Sequence, residues 1–216
     1  MQYFTKEYTK FFRALAKNNN KEWFHANKKV YSAEVRQPMI AFVEDLIIEM
    51  QKHDPEMSPV ASKCLGRINR DIRFSIDKTP YNQHLFAHVT KGTKAAPVPG
   101  IAFRFGGGDC GIMSGYYNPS KSQLEGIRHK ISNDLKTFQK LKSAKKFVSK
   151  FKDIQGEAYK RVPKELQGVY EQEALIANKQ FYYVDVKKPD FVTSKSLLED
   201  IMGYWLAAKP LNDFFA

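Results

Sequence analysis

The sequence predicts an α+β protein: a central antiparallel sheet of about four to five strands, flanked by N-terminal and C-terminal helices. Three observations carry that prediction. Apolar residues recur at helical spacing in the first and last thirds of the 216-residue chain. The middle third switches to a two-residue alternation. A glycine-rich turn joins two strand-like runs there, and the connections are too short for parallel crossovers.

The first helix is expected over residues 5–17, where Tyr8, Phe11, Phe12 and Leu15 share one face. Asn18, Asn19 and Asn20 stop it and cap the next, because asparagine suits both helix ends. Trp23, Phe24, Asn27 and Tyr31 continue at helical spacing, and Pro38 marks a break or a first helical turn. Beyond it, Met39, Phe42, Val43, Leu46, Ile47 and Met50 form the apolar stripe of an amphipathic helix.

Residues 63–74 permit a strand, with Ile68, Ile72 and Phe74 on one face and Arg67, Asn69, Asp71 and Arg73 on the other. Residues 84–92 and 100–115 read as further strands, the latter folded back through Gly106, Gly107, Gly108 and Asp109. Helical spacing returns over residues 120–141 and 144–151, a late strand follows at 180–188, and a capped helix at 193–209 closes the chain. No repeat or linker separates these blocks, so residues 1–216 are expected to form a single domain.

Composition narrows the function classes. Hydrophobic residues make up 43% and charged residues 27% of the chain, and sixteen Phe with eleven Tyr argue against disorder. No stretch approaches the roughly 20 apolar residues of a membrane span, so no membrane partner is expected. The N-terminus lacks a run of signal-peptide type, which leads to a cytoplasmic expectation. Cys64 and Cys110 form no disulfide framework or metal knuckle and are expected as free, half-buried thiols. Net charge is +12, and residues 120–164 hold thirteen basic residues against four acidic ones. That surface favours anionic partners.

The densest chemistry lies in residues 67–84, RINRDIRFSIDKTPYNQH. Arg67, Arg70 and Arg73 offer planar forks suited to phosphate or carboxylate. Asp71 can orient one arginine while another faces a ligand. Asp77 and Lys78 lead into a turn before Pro80, and Tyr81 and His84 return toward the same region. Asp71, Tyr81 and His84 are therefore the acid–base candidates, with the arginines as charge stabilisers. The bland alternative is an Arg–Asp network that only fixes a loop.

Other features are weaker. The glycines at 106–108 precede a strand-like run, so they make a hairpin turn rather than a phosphate loop. His84 and His88 would sit about 13 Å apart along a strand, too far to share a metal, and neither a metal nor a cofactor is expected. Trp23 is more often core than ligand platform. Tyr116 lies at a strand-to-helix loop, and Arg128 in the following helix adds a positive group.

The segments FFRALAKNNNKEWFHANKKVY, RINRDIRFSIDKTPYNQH and GYYNPSKSQLEGIRHKI make the chain similar to the domain-of-unknown-function family 2461, a group of conserved hypothetical bacterial proteins. Its motif R-x-x-R-D-x-R-F-S-x-D-K-x-P-Y is matched by Arg67, Arg70, Asp71, Arg73, Phe74, Ser75, Asp77, Lys78, Pro80 and Tyr81. The family pattern carries a lysine after the tyrosine, where Asn82 stands here. The resemblance implies one domain and no particular activity, substrate or cofactor. The leading functional expectation is a site for a small anionic ligand, with or without chemistry, on residues 67–84 with Tyr116 and Trp23. A nucleic-acid or acidic-partner module on helices 121–152 and a purely structural motif are the alternatives, and the sequence leaves the oligomeric state open.

Overall fold

The structure is a computed structural model and describes residues 1–92 and 98–216. It is a mixed α+β fold with one four-stranded antiparallel sheet and flanking helices. Strands β1 (His84–Val89), β2 (Ile101–Gly106), β3 (Cys110–Tyr116) and β4 (Phe181–Lys187) lie in sequence order. The β2–β3 hairpin closes through Gly106 N–H to the Asp109 carbonyl at 3.1 Å.

The chain divides into two compact units. The first comprises Met1–Lys91, Ala102–Ile112 and Val186–Met202; the second comprises Gly92–Ile101, Met113–Asp185 and Gly203–Ala216.

In the first unit, helix α1 (Lys6–Lys17) buries Tyr8, Phe11, Phe12 and Leu15, the expected face. Asn18 closes it, and the Asn20 side chain caps helix α2 (Lys21–Ala26) by accepting from Trp23 N–H at 2.9 Å. The chain does not break at Pro38. A π-helical stretch at Tyr31–Arg36, where Gln37 N–H reaches back to the Ser32 carbonyl, leads directly into helix α3 (Gln37–Gln51). The wider π-helical turn ahead of Pro38 accommodates a residue that has no N–H to return to the preceding turn. All six apolar stripe residues of α3 are buried. Rings of Phe4, Tyr8, Phe42, Phe103 and Phe105 interlock at centroid separations of 4.8 to 6.2 Å.

The expected strand at 63–74 is absent. Residues Ala61–Cys64 make one helical turn, and the chain then makes isolated antiparallel bridges, Leu65 to Ala87 of β1 and Asn69 to Tyr81 ahead of it. Alternation failed there because the charged side chains turn back on the loop itself, Arg70 to Asp77 and Arg73 to Asp71, and the apolar Phe74 and Ile76 stay in solvent instead of packing as a strand face. Phe74 is exposed instead of buried.

In the second unit, the helical run at 120–141 splits into α4 (Lys121–Asn133) and α5 (Leu135–Lys142), with Asp134 capping Thr137 N–H at 3.1 Å. Helix α6 (Lys145–Phe151) follows. Phe147, Phe151, Tyr183 and Tyr204 form its aromatic core. The edge of β4 is met by Gln155, which exchanges both backbone bonds with Tyr182 at 2.6 and 3.2 Å.

The last helix, α7 (Leu197–Phe215), runs through Pro210 rather than ending before it. Buried Leu211 and Phe215 hold its final turns, and the Asn212 side chain donates to Ser114 Oγ at 2.9 Å and accepts from the Tyr183 hydroxyl. Those contacts outweigh one missing backbone bond. Both cysteines are free and buried rather than half-buried, Cys110 fully so; burial pushes the Cys110 thiol up to about 11.

Candidate functional site

Residues 70–80 form a loop in the first unit whose two ends are brought together. Arg70 N–H donates to the Pro80 carbonyl at 2.9 Å, and Asn82 N–H to the Ile68 carbonyl at 2.8 Å. Inside, the Arg70 guanidinium donates to Asp77 Oδ2 at 2.5 Å, to the Thr79 carbonyl at 3.1 Å, to the Thr79 hydroxyl, and to Ser75 Oγ at 3.3 Å. Asp77 in turn accepts from Thr79 N–H at 2.9 Å, an Asx turn of the kind that precedes proline. Lys78 Nζ spans the loop to the Ile72 carbonyl at 2.9 Å.

A second pair lies outside this network. Arg73 makes a forked contact with Asp71, Nε to Oδ1 at 2.9 Å and Nη2 to Oδ2 at 2.6 Å, and both side chains are largely in water. Each carboxylate is held below its ordinary range. For Asp71 the cause is the Arg73 fork. For Asp77 it is chiefly the Thr79 backbone and hydroxyl, then Arg70. Both therefore stay ionised at neutral pH, with their lone pairs directed at internal donors. Arg67 is exposed, and its carbonyl accepts from the Asn82 side chain at 3.0 Å. Asn82, in place of the family lysine, thus closes the loop base.

Tyr81 is buried, its ring stacked on Phe24 at 4.1 Å. The Asn19 side chain grips its backbone from both sides, accepting from Tyr81 N–H at 3.1 Å and donating to the Tyr81 carbonyl at 2.9 Å. Trp23 is half-buried against Phe11 at 5.6 Å.

His84 begins β1 beside a different ion pair, Arg104 with Asp109 across the hairpin. Burial, then Arg104, holds the imidazole below its ordinary value of 6.5, with Asp109 opposing. In the unfolded chain the ring takes its proton near that value while the folded protein resists it, so stability falls as pH drops below 6.5. His84→Gln should flatten this part of the stability profile, measured by urea unfolding at successive pH values. An unchanged slope would assign the effect to other groups.

Tyr116 and Arg128 belong to the second unit. Arg128 is tied to the carbonyls of Ile176 and Asn178 at 3.0 and 3.1 Å, and its guanidinium lies 5.0 Å from the Tyr159 ring centre. Tyr116 is half-buried, and burial raises its hydroxyl above the ordinary range. Two lysines of the basic helices also turn to local partners: Lys142 pairs with buried Glu173 at 2.8 Å, and Lys150 lies over Tyr204 at 4.6 Å.

Sequence reasoning missed Ser75, Thr79 and Asn19 as partners, and Arg104 with Asp109 as the surroundings of His84. The Asp77-to-Thr79 spacing before Pro80 was the local signal for the turn; Ser75 lies five positions from Arg70, while Asn19 and the Arg104–Asp109 pair come from distant parts of the chain. Among the described residues, no group of three or more His, Cys, Asp or Glu is placed to hold a metal, and no helix is long and apolar enough to cross a membrane.

The protein is thus of mixed α+β class, with its charged motif folded as an ion-paired loop. The chain belongs to the conserved hypothetical protein family DUF2461, whose model matches residues 7–214. No curated protein and no solved structure matches it.

Proposed function

We propose that this protein binds an anionic ligand, bearing phosphate or carboxylate, through the exposed cations around the 70–80 loop: Arg67, Arg73 and Lys78. The supporting observation is a division of labour among the arginines. Arg70 spends its fork on Asp77, Thr79 and Ser75 and acts as the frame. Arg73 holds only the solvent-exposed Asp71. Water screens an exposed pair of that kind and leaves it little net stability, so a ligand carboxylate or phosphate can replace Asp71 at little cost. Free buried thiols fit a cytoplasmic setting for this binding.

A thermal-shift panel of phosphorylated and carboxylated metabolites tests the reading. Arg73→Ala should leave the unliganded midpoint nearly unchanged, since a solvent-screened side chain outside the core contributes little to stability. It should also abolish the shift that the responding compounds give the wild type. Equal shifts in both proteins would remove Arg73 from the site, and a panel that moves neither would reject small anions as ligands.

A further inference from the structure

The loop displays two large apolar side chains that no described residue covers. Phe74 is 95% and Ile76 101% exposed, two residues apart at the loop tip. Single exposed apolar residues are ordinary on protein surfaces, but two bulky ones at full exposure on one tip are not. Their exposure is enforced from within. The Arg70 contacts, the Asp77–Thr79 turn and the Lys78 span hold the backbone that carries them, so the tip cannot fold inward to hide them.

Charge surrounds the same tip. The loop and its base carry Arg67, Arg70, Arg73 and Lys78 against Asp71 and Asp77. Each carboxylate is already engaged by an arginine, Asp71 by Arg73 and Asp77 by Arg70. Arg67 and Lys78 are left as uncancelled positive charges beside Phe74 and Ile76, and the Arg73 guanidinium lies 5.9 Å from the Phe74 ring centre.

We propose that this tip docks on an anionic phospholipid surface, Phe74 and Ile76 entering the boundary between headgroups and acyl chains while Arg67, Arg73 and Lys78 contact lipid phosphates. This rests on the anion-binding reading of the same cations and names the surface that carries the anion. A protruding tip with apolar side chains ringed by cations matches a fluid interface, which needs no complementary cavity. Ile76 has no π-face for a nucleobase to stack on, which disfavours single-stranded nucleic acid. A second copy of this chain is disfavoured by its +12 charge. Two side chains also bury far less than the roughly 1,200 Å² of a stable protein interface, whereas membrane attachment adds small apolar insertions to many charge contacts. The contact is with a surface, and calls for no spanning helix.

The full chain is mixed with phosphatidylcholine vesicles, with and without phosphatidylserine, and binding is read by co-sedimentation. Wild type should bind only the phosphatidylserine-containing vesicles, more weakly as salt rises. The double variant F74S/I76S keeps every charge and should bind at least about tenfold more weakly, with its thermal midpoint and its thermal shift by soluble anions unchanged. Phe74→Trp, with its Trp fluorescence compared against that of the wild type, should add a blue-shifted component on the same vesicles. Failure of wild type to bind phosphatidylserine vesicles overturns the proposal, as does equal binding by the double variant, which would mark a purely electrostatic contact. Loss of mixed-oligonucleotide binding in the double variant, without vesicle binding by wild type, would assign the tip to nucleic acid instead. Failure of the soluble-anion panel alone leaves this outcome distinct, because vesicle binding is read separately.

Discussion

Phe24→Ala is expected to destabilise the protein by about 3–5 kcal/mol, the usual cost of removing a buried phenylalanine ring. Phe24 packs in a cluster with Phe11 and Tyr31, and its stack on Tyr81 anchors the C-terminal end of the charged loop. Truncation leaves a ring-sized void beside Tyr81. For a chain of this length the midpoint should fall by on the order of 10 °C. Phe24→Leu, which fills most of the void, should recover more than half of the loss in a thermal melt. A full-sized loss in the leucine variant as well would show that ring stacking, rather than volume, sets the cost.

Arg70→Ala is the second large effect, about 1–2 kcal/mol, because the half-buried guanidinium loses its bonds to Thr79 and Ser75 together, the exposed Asp77 contact being screened by water. Asp77 and Thr79 keep their own turn without it, so the damage should concentrate in residues 71–79. Hydrogen exchange there should accelerate while the α1 and α3 amides keep their protection. Arg70→Lys restores the charge opposite Asp77 but not the fork that also reaches Thr79 and Ser75, and should recover only part of the loss. Loop exchange that stays slow in Arg70→Ala would show that the Asp77–Thr79 turn and Pro80 hold the loop by themselves.

These two effects mark where the sequence was readable. The buried faces of α1 and α3 followed from spacing alone, because a helix presents residues three and four apart on one side whatever surrounds it. The β2–β3 hairpin was likewise local, written in its glycines. The segment at 63–74 was misread because period two records side-chain polarity and not which charges will meet. Arg70 reaches forward past the adjacent Asp71 to Asp77, and Asp71 turns to Arg73. Either pairing, or a strand with all of them in water, is compatible with the same letters. Pro210 shows the converse error. A local rule ends the helix there, and contacts from Ser114 and Tyr183, about 100 and 30 positions away in sequence, override it.

The single bridges that meet the outer strands have a consequence for solution behaviour. An open strand edge is a template for adding another chain, and long unprotected edges lead to aggregates. Here Gly66 N–H takes the Phe86 carbonyl of β1 at 2.8 Å, and Gln155 takes both backbone groups of Tyr182 on β4. Each partner is irregular chain outside the named strands, so it occupies the edge at that point without adding a regular strand of its own. A protein that displays Phe74 and Ile76 to solvent gains most from such blunted edges, which lessen the template its sheet holds out to a second chain.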